Sequence, residues 1–198
     1  MTDLRYALAL ILVIIMPVVI TFWLTIHAAH PFWKRQPVWL AYTCAGVLLS
    51  VVAVACFWNR ALLIGTDLGL LWPLFLAGAF IYAVSLRMSA PVRHVLAFKT
   101  FAGVAQLNND DGALLAEGPY AAIRHPRYFM VLVGVVGWAM MANFAGAYIT
   151  ALVSIAGMVL VVRLEERELV ARFGEAYENY KQQVPQLIPR RGDLGLLF

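Results

Sequence analysis

The feature that most constrains this chain is the recurrence of apolar runs close to 20 residues long. A bilayer core about 30 Å thick takes about 20 residues of helix to cross, and in lipid only a helix or a closed barrel satisfies its own backbone polar groups. Residues 6–26, 38–58, 68–86 and 145–162 meet that requirement, while 128–141 is shorter and is joined to the last run by the tight turn region Ala142, Asn143, Phe144. Composition agrees, since 63% of the residues are hydrophobic and 13% charged, against roughly half and a quarter in soluble domains. The pattern predicts an all-α integral membrane protein of about five transmembrane helices, with a cytoplasmic loop and a C-terminal helical tail. Its last two spans should form an antiparallel hairpin, because a short turn makes consecutive helices antiparallel neighbours. Residues 1–198 should form one membrane domain, with N-terminal spans over 1–88 and the loop, hairpin and tail over 89–198. The run 6–26 is too long for the roughly 7–15-residue core of a signal peptide and should remain a span.

Topology follows from the cations, because short loops rich in Lys and Arg stay on the cytoplasmic side. Lys34 and Arg35 follow the first run; Arg60, offset by Asp67, follows the second; Arg87, Arg93, Lys99, Arg124 and Arg127 follow the third. The tail adds Arg163, Arg167, Arg172, Arg190 and Arg191. With five spans the strong clusters share one face, which predicts an outside N-terminus and a cytoplasmic C-terminus. A net charge of +4 spread in short clusters does not form the basic face with interleaved aromatics that nucleic acid requires, so no nucleic-acid partner is expected. Trp23, Trp33, Trp39, Trp58, Trp72 and Trp138 fall mostly near span ends, as an interfacial belt predicts.

Between the third and fourth spans, residues 89–127 read as a loop with some helix, containing the turn-like run 108–112. The tail reads as two short helices, 165–173 and 175–184, interrupted by Gly174 and stopped by Pro185. Phe173, Tyr177, Tyr180 and Val184 are spaced to share a face of it. Gly134, Gly137 and Gly157 should let the last spans approach their neighbours closely, and Asn143 should cap the turn.

Reactive side chains concentrate in two places. Gly118, Pro119, Tyr120, Arg124, His125, Pro126, Arg127 and Tyr128 stand where the chain enters the fourth span. The prolines fix φ on either side and Gly118 is permissive, which suits a loop holding Tyr120, Arg124 and His125 in one geometry. Anchoring at a membrane boundary explains the Arg and Tyr but not the His between them. The second cluster, Arg163, Glu165, Glu166, Arg167 and Glu168, begins where the fifth span ends. Carboxylates at a lipid boundary are costly unless paired or used, which marks Glu165 and Glu166; Glu168 is expected to be a solvated partner of Arg172. The hairpin should bring His125 to both glutamates at one membrane face. His27 and His30 lack a third ligand nearby and are expected as interfacial loop residues rather than a metal site, and His94 as a solvated one. No metal is expected.

The spacing Gly-Pro-Tyr, three residues, Arg-His-Pro, one residue, Tyr at 118–128, followed by Glu165, Glu166, Leu169, Phe173, Gly174, Tyr177, Tyr180, Val184 and Pro185, resembles the two signatures of the isoprenylcysteine carboxyl methyltransferase family, which is related to the phosphatidylethanolamine N-methyltransferases. The resemblance implies an S-adenosyl-L-methionine pocket lined by Gly118, Tyr120, Arg124, His125, Pro126, Tyr128, Glu165 and Glu166, at the cytoplasmic ends of the last spans. Either glutamate suits the cofactor's ammonium and sulfonium, and Arg124 or His125 its carboxylate. It implies methyl transfer to a lipophilic acceptor entering from the bilayer; Glu166 and, from the acceptor's chemistry rather than from the family pattern, Arg163 are the expected catalytic residues. A carboxylate acceptor needs only an orienting arginine, for which Arg163 is the candidate, whereas a thiol or amine needs a base from among Tyr, His and Glu. A phospholipid amine or thiol methyltransferase, a nicotinamide-dependent membrane reductase and a non-catalytic scaffold are the competing readings. The oligomeric state is left open.

Overall fold

In the computed structural model, which describes residues 1–95 and 114–198, four helices are long and apolar enough to cross a membrane. They are α1 (Thr2–Ala28), α3 (Val38–Trp58), α5 (Trp72–Val95) and α8 (Ala145–Phe173). Short helices α2 (His30–Trp33) and α4 (Arg60–Ile64) follow α1 and α3. After the third span come α6 (Pro119–Ala122) and α7 (Pro126–Ala142); after the fourth long helix come α9 (Glu175–Gln183) and a closing 3₁₀ segment, Arg191–Leu197. The run 108–112, Lys99 and the side chains of Arg93 and His94 lie outside the described residues. No strand forms among the described residues, and a single bridge pairs Asp67 with Phe144.

The expected count of five rests on α7, which has 17 residues and at 1.5 Å per residue is only about 25 Å long. It is apolar and packs along α5 and against α1 and α8. Other boundaries differ more. The third span opens at Trp72, with Pro73 in its first turn, rather than at residue 68, and continues through Pro91 into the segment expected to be loop. The fifth does not end at residue 162: α8 runs unbroken to Phe173, so the expected first tail helix is its continuation. Arg, Glu and Leu are strong helix formers, and a helix leaving lipid on such residues has no reason to stop. It stops at Gly174, whose φ of 55° disfavours a residue with a Cβ.

Close approach between spans is carried by glycine. A Cβ on Gly137 would fall 2.6 Å from the Gly78 carbonyl oxygen and 2.7 Å from the Tyr82 nitrogen, and one on Gly78 would meet the Gly137 carbonyl at 2.6 Å. Helices α5 and α7 therefore touch backbone to backbone, the packing that small residues permit in lipid. Gly134 and Gly157 likewise sit against Ser85 and Ile20, as expected of them. The core joins α1, α7 and α8 through Leu12, Val13, Met16, Val135, Ala139, Met158 and Val161. Outward residues such as Val47, Val51, Val54, Phe80, Leu152 and Val153 stay exposed. An apolar exterior of that extent belongs in lipid. Trp39, Trp58 and Trp72 are exposed, whereas Trp23 and Trp33 are buried and so depart from the expected interfacial belt.

The hairpin turn is held by buried polar contacts. Asn143 ends α7 in the left-handed region at φ 50°, donates to the Gly69 carbonyl and accepts from the Tyr148 hydroxyl, both at 2.8 Å. Arg5 of α1 is buried beneath it, donating to the carbonyls of Ala142 and Asn143 and pairing with Asp67. The opposite, open end of the hairpin carries the reactive clusters.

Candidate active site

Local sequence shapes the loop between α6 and α7. Gly118 adopts φ 58°, which favours glycine, and Pro119 and Pro126 open α6 and α7 at positions where a missing N–H costs nothing. His125 precedes a proline and is thereby kept out of the helical region, at φ −126° and ψ 61°. Arg124 and His125 donate their backbone N–H groups to the carbonyls of Pro185 and Gln186, at 2.9 and 3.2 Å. The tail thus folds back over the loop, and the Tyr180 hydroxyl fastens it further by donating to the Tyr120 carbonyl at 2.6 Å. Tyr177 and Tyr180 of α9 are buried, so the face expected from their spacing is the face that docks.

The two clusters meet as expected. His125 is buried between the glutamates, with Nε2 3.2 Å from Glu166 Oε1 and Nδ1 3.5 Å from Glu165 Oε2. Burial by itself would lower the His125 pKa, but the hydrogen bonds and charges of the two carboxylates outweigh it and hold the pKa above the ordinary histidine value. Arg124 donates from Nε to Glu166 Oε1 at 2.7 Å and from Nη1 to the carbonyls of Lys181 and Val184, while Gln186 donates to Glu166 Oε2 at 3.0 Å. Burial raises the phenols of Tyr120 and Tyr177 well above the usual range and pushes Tyr180 up to about 12. All three are neutral hydroxyls near pH 7.

Of the residues expected at the site, Tyr120, Arg124, His125, Tyr128, Glu165 and Glu166 come together, with Gly118 and Pro126 shaping the loop. Arg163 does not join the hydrogen-bonded cluster; it is exposed on α8. The buried cation beside the glutamates is instead Arg127, which donates to the Tyr128 hydroxyl at 2.7 Å and lies 4.2 Å over the Trp23 ring. Its place in the first turn of α7 was legible, but its contact with α1 was not. Glu168, expected as a solvated partner of Arg172, accepts from His27 Nδ1 at 3.0 Å and stands 3.7 Å from His30 Nε2. His27 is a buried residue of α1 rather than a loop residue.

Among the described residues, the buried atoms Glu165 Oε2, Tyr177 Oη and His27 Nε2 make no close hydrogen bond, Glu165 Oε2 facing His125 Nδ1 at 3.5 Å. Buried polar groups are seldom left so. A free carboxylate oxygen and a phenol beside paired carboxylates suit a polar, partly cationic small molecule. No group of residues among those described could hold a metal ion.

Residues 72–176 match the phospholipid methyltransferase family. The chain is 35% identical over 105 residues to the protein-S-isoprenylcysteine O-methyltransferase of Schizosaccharomyces pombe, covering 52% of this chain and 44% of that one. It is 38% identical over 71 residues to methanethiol S-methyltransferase 2 of Bradyrhizobium diazoefficiens, covering 36% of this chain and 27% of the relative. A methanethiol S-methyltransferase of a Pseudomonas species is 36% identical over 72 residues, again 36% and 27%. The matches therefore span less than half the length of these relatives. No solved structure matches the chain. Since the family match covers more than half of the residues and takes in both clusters with the two helices that carry them, this chain belongs to the phospholipid methyltransferase family.

Proposed function

We propose that this protein transfers a methyl group from S-adenosyl-L-methionine to a lipophilic acceptor at the cytoplasmic face of a membrane. The observation that carries the reading is the pair Glu165 and Glu166, adjacent on α8 and largely withdrawn from water against His125 and Arg124, with Glu165 Oε2 making no close hydrogen bond among the described residues. When bound, the cofactor supplies an electrophilic methyl on a sulfonium. Its cationic groups suit the carboxylates of Glu165 and Glu166, its carboxylate suits the Arg124 and His125 side, and the Tyr120, Tyr128 and Tyr177 rings suit its adenosine. Gly118 and Pro126 hold the loop in shape for these contacts. Arg124 acts largely by positioning, because Nε and Nη1 are engaged by Glu166 and the tail. Arg163, exposed at the same end of α8, is the residue for orienting an acceptor headgroup.

The acceptor's apolar part has a place to lie. A cleft of about 290 Å³ opens between α1, α5 and α7, lined mainly by Leu12, Met16, Leu86, Met130, Val131 and Val135. Met130 sits one turn along α7 from Arg127, so a chain in this cleft would lead from the bilayer toward the carboxylates. The positive-inside distribution of Lys and Arg supports a cytoplasmic site and C-terminus. The loop, hairpin and tail over 89–198 would then work as one unit with the spans of 1–88.

Calorimetric titration of S-adenosylmethionine into detergent-purified protein, beside His125→Ala and Glu166→Ala variants with parental circular dichroism, tests the reading. Binding in the parent that weakens at least tenfold in both variants supports it. A folded parent that does not bind refutes it.

A further inference from the structure

The first helix contributes one half of a polar pair that neither signature contains: His27, which lies outside the matched residues 72–176, meets Glu168, which lies within them. His27 occupies the last turn of α1 with its side chain fully inaccessible, and its Nδ1 is 3.0 Å from Glu168 Oε1 of α8. An ionised carboxylate only accepts, so the proton of a neutral ring sits on Nδ1 and the lone pair on Nε2. That Nε2 is buried without a hydrogen-bond partner among the described residues. Trp23, one turn earlier, stacks on the imidazole at 5.6 Å and 19°, and the same indole meets Arg127 and, edge to face, Tyr128. His27 thereby belongs to the wall of the carboxylate cluster, close to Glu165.

We propose that His27, oriented by Glu168, accepts the proton of a lipophilic thiol as that thiol is methylated. The proposal rests on the methyl-transfer reading and narrows its acceptor. Among the other candidate bases, Tyr120, Tyr177 and Tyr180 hold their protons more tightly than usual, both His125 nitrogens face carboxylates, and Glu165 and Glu166 are themselves taken up by His125, Arg124 and Gln186. A carboxylate acceptor arrives ionised and gives a base nothing to do. Ammonium groups and phenols, with ordinary pKa values near 10, are a poor match for an imidazole, whereas a thiol near 8.5 lies within about two units of one. In the reaction the S–H proton passes to His27 Nε2 and the sulfur electron pair forms the new S–CH₃ bond. The sulfonium C–S bond breaks with its pair retained on the departing sulfur, giving a neutral thioether, and the imidazolium, stabilised by Glu168, returns its proton to water.

The test uses the full chain in detergent, with His27→Gln and Glu168→Gln variants, and a long-chain N-acylcysteine amide, whose thiol has the acidity of cysteine, near 8.5, against a long-chain carboxylate as acceptors. Three results are expected. Nitrogen-15 spectra of the parent show one histidine with protonated Nδ1 and bare Nε2, absent from His27→Gln and altered in Glu168→Gln. Both variants bind S-adenosylmethionine within about threefold of the parent. His27→Gln lowers kcat for the cysteine-type thiol by about 100-fold or more, the lower range of general-base effects, and removes a limb of the pH profile, while an arenethiol already ionised at the assay pH recovers most of the rate. Among the described residues, the titratable and charged groups facing His27 are Glu165 and Glu168 of α8, His30 of α2, and Arg127 and Tyr128 of α7, so the limb must survive His30→Gln to belong to His27. Cofactor binding intact with equal losses for both thiols, an unchanged pH profile in His27→Gln, methylation of the carboxylate alone, or the opposite tautomer would overturn this inference and leave methyl transfer standing. Failure of the parent to bind S-adenosylmethionine would overturn both.

Discussion

Removing the Arg124 guanidinium should open the C-terminal tail without unfolding the bundle. Arg124 is 9% exposed and Glu166 12% in their side chains, so the pair is largely withdrawn from water. Arg124→Ala deletes the 2.7 Å bond to Glu166 and the two bonds to the Lys181 and Val184 carbonyls. It leaves the Glu166 carboxylate to His125 and Gln186 alone. Breaking one side of a buried pair costs about 3–5 kcal/mol, a range that already contains the lost charge-assisted bonds because these are not additive. At 1.4 kcal/mol per decade, the open population of the tail rises by about 10²-fold to 4 × 10³-fold. Hydrogen exchange reads this directly at the Arg124 and His125 amides, which donate to Pro185 and Gln186, and at Val184, which donates to Tyr180. Those amides should exchange at least 100-fold faster, while α1 and α3 keep their protection. Arg124→Lys, retaining charge but not the fork, should fall between. Acceleration below threefold at the three amides, or equal acceleration in every helix, would refute the argument that Arg124 is what ties the tail to the site.

Gly137→Leu should lower the thermal midpoint in detergent markedly, because its Cβ would meet the backbone of α5 at 2.6 Å and overpacking costs about 1–3 kcal/mol even when side chains can yield; Gly46→Ala, with nothing within 4 Å, should not. The raised pKa of His125 makes its contribution to stability full below the ordinary value of 6.5 and lost as pH climbs through the folded value. The difference in midpoint between parent and His125→Gln should therefore shrink as pH rises above 6.5, and a difference that grows would contradict the geometry. Arg5→Leu should destabilise by stranding the Ala142 carbonyl and leaving that of Asn143 to the Leu68 N–H alone among the described residues, and Arg5→Leu with Asp67→Asn should recover part of the loss, as measured by a double-mutant cycle in thermal unfolding.

The meeting of 118–128 with Glu165 and Glu166 was legible because each cluster is local and the hairpin joining them turns within three residues, which leaves its open ends adjacent. The tail's docking face was legible from the spacing of Tyr177 and Tyr180. Its target was not: the contacts of Arg124 with Lys181 and Val184 link positions about 60 residues apart through backbone carbonyls, and carbonyls leave no mark in a sequence. Span limits drifted for a related reason. Hydropathy reports where lipid ends, whereas α8 ends where backbone geometry ends, at Gly174. Glu168 was misjudged because its solvated partner Arg172 lies one turn away and its actual partner, His27, 141 positions away.

That distant pairing bears on what the first span does. Positions 5 and 27 are 22 apart, about 33 Å along a helix at 1.5 Å per residue, close to the thickness of a bilayer core. Arg5 grips the closed end of the α7–α8 hairpin, through the carbonyls of Ala142 and Asn143. At the other end His27 bonds to Glu168 and Trp23 lies against Arg127. A hairpin joined at one end by a short turn is free to splay at the other, and the splaying end is where Arg124 and His125 must reach Glu165 and Glu166. Because α1 is attached at both ends of the hairpin, any splaying has to break either the His27–Glu168 bond or the Trp23–Arg127 contact. The register between the two clusters is thus set partly by a helix that carries none of their motif residues.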